Sequence, residues 1–280
     1  MGKLDGRVAI VTGASRGIGK AIAQMFAEEG AKVVCVARTV NEGDSRAPGS
    51  LTGTVEAIRA AGGEAIMVAA NLSEEADCDR IVAEAHAAFG PVDVLVNNAV
   101  TNFPHAVADF PSKRWMLGFA VNIHAPFLLS RAVIPDMRAK GRGAIVNISS
   151  GVAIGPGRGP YEEPGWNGMG VLYGATKAAL ERFTQGLAQE EYANGIQVTC
   201  LSPSQAVFTE GALLFNKPPQ DMPNEPASTM ARAALLLATE PIDRVTGRVC
   251  YSQQILKEFD WIAEAHGQGV DSPGSGYAQL

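Results

Sequence analysis

Short apolar runs rich in Val and Ile alternate with longer stretches of helical spacing along most of the chain. The runs cover residues 7–13, 31–38, 64–71, 91–99, 143–150, 196–204 and 247–252. They are short and apolar on both faces, which predicts strands covered from two sides. Between them, 19–30, 49–63, 73–90, 112–141, 171–195 and 227–240 carry apolar residues at helical spacing. Ser73, followed by Glu74 and Glu75, reads as the N-cap of the third helix. Pro126 predicts a bend in the fourth. Strand–helix alternation of this kind builds a parallel sheet through right-handed crossovers. The expected fold is α/β, a doubly wound (Rossmann) three-layer sandwich with a seven-stranded parallel sheet. A single domain is expected over residues 1–266, with substrate loops at 151–170 and 205–226. The Gly/Ser-rich stretch 267–280 reads as a tail that is mobile or crosses to a neighbouring subunit.

Composition narrows the partners. The chain has 280 residues, 46% hydrophobic and 19% charged, with a net charge of −6 and no basic block. Nucleic acid and anionic membranes are poor matches for that surface. No apolar run looks long enough to cross a bilayer, and no cleavable leader is evident. Cys35, Cys78, Cys200 and Cys250 show no CxxC spacing and read as buried, reduced thiols. A cytoplasmic protein without a catalytic metal is the expectation.

Candidate chemistry begins in "VTGASRGIGKAI", which places Gly13, Gly17 and Gly19 between the first strand and the first helix. Glycines there allow a tight turn and close approach of a pyrophosphate to a helix N-terminus. The spacing Gly-x-x-x-Gly-x-Gly resembles the cofactor signature of the short-chain dehydrogenases/reductases. That resemblance implies a nicotinamide dinucleotide held by Gly13, Ser15, Arg16, Gly17, Ile18 and Gly19. The second strand ends in Ala37, Arg38 and Thr39 in place of an acid that would take ribose hydroxyls. An arginine there can pair with a 2′-phosphate, and Arg16 can reach the same group, so NADP (as NADPH) is expected over NAD.

Among the five tyrosines, only Tyr173 is followed four residues later by a lysine, Lys177. On a helix these share a face, which places an ammonium near a phenol. A cation stabilises phenolate; a drop of about three pKa units needs roughly 4 kcal/mol of interaction. Tyr173 is then a candidate acid/base for a carbonyl or an alcohol.

Further positions extend the family resemblance over roughly residues 5–252 and weakly favour its hydroxysteroid-dehydrogenase-like members. "NISS" implies Ser150 as a hydrogen-bond donor to the substrate oxygen, and "VNIHAPFLLSRAVIPDM" implies Asn122 as support for a proton relay. Cofactor contacts are implied at Asn71, Leu72, Asn98, Ala99, Tyr173, Lys177, Pro203, Val207 and Thr209. Asn97 reads more simply as a residue that knits strands together. The resemblance also implies a homo-oligomer, tetramer or dimer, built on the long helices.

Departures fall mostly in loops. Ser150 and Tyr173 are 23 positions apart, about ten more than the family's usual spacing. The intervening 151–170 holds seven glycines and three prolines, so it extends neither strand nor helix. Its Tyr161 and Trp166 are candidate substrate contacts beside Ser150 and Tyr173. A second insertion, 39–50, is expected to fold over the adenosine end. The function implied is hydride transfer between a nicotinamide and a carbonyl or secondary alcohol of a fairly apolar small molecule. Its rivals are a non-catalytic NADP-binding sensor or scaffold, and an epimerase or dehydratase on the same fold.

Overall fold

The computed structural model describes residues 2–153, 157–161, 170–214, 219 and 221–272. Trp166 and residues 273–280 lie outside them. The strands are β1 (Val8–Thr12), β2 (Lys32–Ala37), β3 (Glu64–Ala69), β4 (Val94–Asn97), β5 (Gly143–Ile148), β6 (Ile196–Ser202) and β7 (Val249–Tyr251). They form one sheet in the order β3-β2-β1-β4-β5-β6-β7. Every pairing is parallel, with registers such as Ile10↔Val34 and Ile10↔Leu95. Strand order reverses between β2 and β4 around β1, which opens a crevice at the carboxyl ends of the central strands.

Helices cover both faces. On one lie α1 (Gly17–Glu28), α2 (Leu51–Ala60), α8 (Ala227–Thr239) and α10 (Ser252–Glu258), packed on Ala9, Val11, Val33, Val96, Val146 and Leu201. On the other lie α3 (Glu75–Phe89), α5 (Ala125–Lys140) and α6 (Val171–Glu191), packed on Ile10, Val34, Leu95, Ile145 and Val198. Burial of β-branched side chains on both faces is what the uninterrupted Val/Ile runs demand. The four cysteines are buried free thiols, three of them on strands.

Three expectations need correction. Ser73 does not cap α3, which starts at Glu75 behind Glu74 and lacks a side-chain cap. The turn closes instead through the Asp77 carboxylate, which accepts from the Asn71 amide N–H (2.7 Å), while Ser73 Oγ donates to Asn71 Oδ1 (3.0 Å). The helix expected over 112–141 is not simply bent. It runs as α4 (Ser112–Phe119), a π turn at Ala120–His124, and α5. Pro126 has no N–H to give the Asn122 carbonyl four residues back, so the α-helical ladder cannot pass that point.

The combined helix Ser112–Lys140 does reach the length and hydropathy (1.4) of a membrane span. Its Leu129, Val133 and Met137 are instead buried in the core, and Arg131 and Arg138 form ion pairs with α3 and α6. Of the expected tail, the described residues 267–272 include a contact to the same chain. Gln268 N–H donates to the Ser204 carbonyl (2.9 Å), and Gln268 Oε1 occupies the place a Cβ on Gly151 would take.

Candidate active site

At the carboxyl end of β1 the chain turns through Gly13–Arg16 into α1. Gly19 lies against this turn so closely that a Cβ would stand 2.3 Å from the Gly13 carbonyl oxygen. Thr12 Oγ1 accepts the N–H groups of Asn98 and Ala99 (3.0 Å each), and Asn98 Nδ2 donates to the Thr12 carbonyl (2.8 Å). Asn98 and Ala99 therefore fix the turn to the end of β4. Asn97, as expected, knits strands: its Nδ2 donates to Asn147 Oδ1 (2.8 Å).

Arg16 does not stand open to a phosphate. Its Nε donates to the Pro48 carbonyl (2.9 Å), and a terminal nitrogen reaches the carbonyls of Ala47 (3.2 Å) and Gly49 (3.0 Å) and Thr39 Oγ1 (3.2 Å). It clasps the 39–50 insertion to the glycine turn. Arg38, at the end of β2, is exposed and makes no hydrogen bond or ion pair within the described residues. Asn71 spends its side-chain oxygen on Ser73, and Leu72 is buried beside it.

From the opposite wall, Thr209 caps the short helix α7 (Glu210–Leu213) by accepting from Ala212 N–H (3.2 Å). The Glu210 carboxylate accepts the N–H of Gly17, first residue of α1 (3.0 Å). Pro203 and Val207 line the chain between β6 and α7.

The second cluster lies where β5 ends and α6 begins. Gly174 brings α6 onto the Gly151–Ala153 turn; a Cβ there would sit 2.9 Å from the Val152 carbonyl oxygen. This close approach sets Tyr173 near Ser150, whose hydroxyl acts to lower the phenol's pKa. Lys177, one turn on, is 3% exposed, donates to the Ile148 carbonyl, and holds its ammonium 5.6 Å from the Tyr173 ring centroid. The amine thus faces the ring as the spacing required.

The electrostatics differ from the sequence expectation. Burial pushes the Tyr173 phenol above its ordinary value, and the Ser150 hydroxyl only partly offsets this. Burial also pulls Lys177 down to about 8, with Cys200 and Glu181 acting in the opposite direction. Desolvation is the first cause at both groups, raising the phenol and lowering the amine.

Asn122, within the π turn, is 1% exposed. Its Oδ1 accepts the Thr101 N–H (2.9 Å), and its Nδ2 donates to the Thr101 carbonyl (2.9 Å) and Thr176 Oγ1 (3.1 Å). The side chain ties the loop after β4 to α6 and is a positioning group. Tyr161 is 61% exposed and donates to the Gly157 carbonyl within its own loop, not to the Tyr173 cluster.

Comparison with known proteins bears on this arrangement. The short chain dehydrogenase family profile matches residues 7–212. This chain belongs to the short-chain dehydrogenase family. A short chain dehydrogenase of Pseudocercospora fijiensis is 38% identical over 213 residues, 75% of this chain and 63% of the relative. Hydroxysteroid dehydrogenase-like protein 2 of Bos taurus is 31% identical over 257 residues, 92% of this chain and 59% of the relative. The chain therefore spans only about three-fifths of the length of these curated relatives. Among solved structures, a metagenomic short-chain oxidoreductase in complex with NADP superposes with a TM-score of 0.70 at 32% identity, covering 89% of this chain and 98% of that one.

The family's fold is one that holds a nicotinamide cofactor, and the residues here fit such a group. The close Gly13–Gly19 contact keeps the turn itself tight, the α1 N-terminus offers backbone donors of which Gly17 N–H is taken by Glu210, and Arg38 offers an exposed guanidinium. Sequence reasoning missed two buried residues beside Lys177. Ser149 and Glu181 are hydrogen-bonded to each other (2.8 Å), and the available signal was that Glu181 repeats the i, i+4 step from Lys177. Glu210 and Gln268 had no local signal, because their contacts depend on segments far away in sequence.

Proposed function

We propose that the chain is an NADP-preferring oxidoreductase. It would move a hydride between the nicotinamide and a carbonyl or secondary alcohol of a fairly apolar small molecule. The observation that carries the reading is the gathering of Ser150, Tyr173 and Lys177 at one strand end: the Ser150 hydroxyl close enough to favour the phenolate, the ammonium 5.6 Å from the ring. Bound NADPH would supply the hydride, and with it the electron pair, that reduces the carbonyl carbon. Tyr173 Oη would give its proton to the carbonyl oxygen, and Ser150 Oγ would donate a hydrogen bond to that same oxygen. Lys177, fixed by the Ile148 carbonyl, would keep a positive charge behind the ring and offer a donor to the cofactor ribose. Asn122 would hold the loop and helix that frame them. Leu213 and Leu214, both 48% exposed, favour an apolar substrate.

Preference for NADP rests on Arg38, exposed and without a partner within the described residues. The NADP in the metagenomic relative supports it. Replacing Arg38 by Ser is expected to narrow NADPH-over-NADH affinity about 10- to 100-fold, the scale of one charge-assisted hydrogen bond. Half-exposed Met116, Phe127 and Val171 on α4, α5 and α6 support a homo-oligomer, which light scattering would reveal.

The deciding experiment is an NADPH-oxidation screen over ketones, aldehydes and β-ketoacyl thioesters, repeated with NADH and with Tyr173→Phe. The variant should bind NADPH as the wild type does and lose turnover. Equal turnover in both proteins would remove Tyr173 from the chemistry. Binding without turnover on any substrate in either protein would favour a cofactor sensor or scaffold.

A further inference from the structure

Two carboxylates are buried on α6, and they are kept in different ways. Glu191, 0% exposed, accepts from Arg138 Nε (2.9 Å) and a second Arg138 nitrogen, and from Asn194 Nδ2 (2.9 Å). Those partners hold its carboxyl below the usual range, as in any structural ion pair. Glu181, 2% exposed, accepts one hydroxyl, Ser149 Oγ (2.8 Å), while its Oε2 is buried without a hydrogen-bond partner. A carboxylate so placed is costly to a fold, so its position calls for a reason. That position is one helical turn beyond Lys177. The groups stand apart: at the 4.0 Å limit no ion pair joins them, and the Lys177 ammonium goes to the Ile148 carbonyl, one residue before Ser149.

We infer that Glu181 is the internal counter-ion of Lys177, a positioning residue that keeps the ammonium charged behind Tyr173 across the Ser149–Ile148 strand end. This rests on the proposed proton transfer at Tyr173. The titratable groups facing Glu181 are Lys177 and, beyond it, Tyr173 on α6, and Cys200 on β6 with Cys250 of β7 behind it; β5 presents Ser149 and Asn147. Burial pushes Cys200 up to about 12, so the thiol stays neutral and Glu181 is the anion within reach of Lys177. Burial raises Glu181 to about 7 and lowers Lys177 to about 8, and each partly restores the other.

The sign follows. Removing the anion makes the ammonium harder to keep, so Lys177 loses its proton at lower pH. Below about pH 7 the wild-type acid is itself largely neutral, and its removal matters less. Glu181→Gln keeps an acceptor for Ser149 and removes only the charge. Its deficit in carbonyl reduction relative to wild type is expected to grow about tenfold between pH 6.5 and 8.5, the alkaline limb moving down by about one unit. A deficit equal at all pH values, or no deficit, overturns the inference, because damaged packing would not depend on pH.

A thermal double-mutant cycle needs no turnover. At pH 8, Glu181→Gln and Lys177→Met should shift Tm non-additively, whereas additive shifts overturn the pairing. If wild type binds NADPH but reduces nothing, the reaction assignment fails, and the melting cycle still decides the pairing.

Discussion

Helices α3 and α6 cover the same face of the sheet, yet bury opposite materials. α3 lays Cys78, Ile81, Val82 and Ala85 on β-strand valines. α6 buries Thr176, Lys177, Glu181 and Thr184 above the polar ends of β4, β5 and β6, where Asn97, Asn147, Ser149 and Cys200 point toward it. Under α3 the packing is hydrophobic, non-directional and insensitive to pH. α6 also buries Leu172, Leu180, Leu187 and Ala188, but its polar groups each need a particular partner, and two side-chain atoms beneath it, Asn97 Oδ1 and Glu181 Oε2, have none. One half of the layer stabilises the fold; the other spends stability to hold charges beside Tyr173.

That contrast can be broken at several points. The largest effect belongs to Tyr173→Phe, expected to lower turnover about 10²- to 10⁴-fold in the NADPH-oxidation assay while Tm stays nearly constant. Ile81→Ala should do the reverse. It removes a fully buried side chain under α3 and is expected to cost about 2–5 kcal/mol in urea unfolding, with Kd for NADPH unchanged. Thr184→Val tests whether α6 depends on partners rather than volume. The isosteric change strands Asn147 Nδ2, whose acceptor is Thr184 Oγ1 at 2.9 Å, and should cost about 1–3 kcal/mol by the same measurement. If it proves neutral, the polar half is packed like the apolar one. The smallest change lies outside both helices. Glu210→Gln removes a charge from the α1 N-terminus and should tighten NADPH binding about two- to fivefold by fluorescence titration.

Much of this was legible in the sequence. The seven strands follow from Val/Ile runs of strand length, and all seven formed. The Tyr173–Lys177 pair was legible because four residues on a helix is a fixed distance. Pro126 marked the fault in the long helix, though not that it would become a π turn around Asn122. Other features were hidden for a shared reason. Arg16 clasps carbonyls at 47–49 of the insertion expected over the adenosine end, a contact that takes the guanidinium from the role the sequence suggested and that no local spacing announces. The phenol's protonation depends on how dry its surroundings are, and spacing carries no information about that. Hence the lysine's proximity was foreseen and the dominance of desolvation was not.

The bond between Glu210 and Gly17 has one more consequence. A diphosphate that arrives at this N–H finds the position already held by an acid of the chain itself. Measured affinity would then be a difference between two competing anions. Whatever repels or neutralises that acid would change occupancy without touching the nicotinamide end.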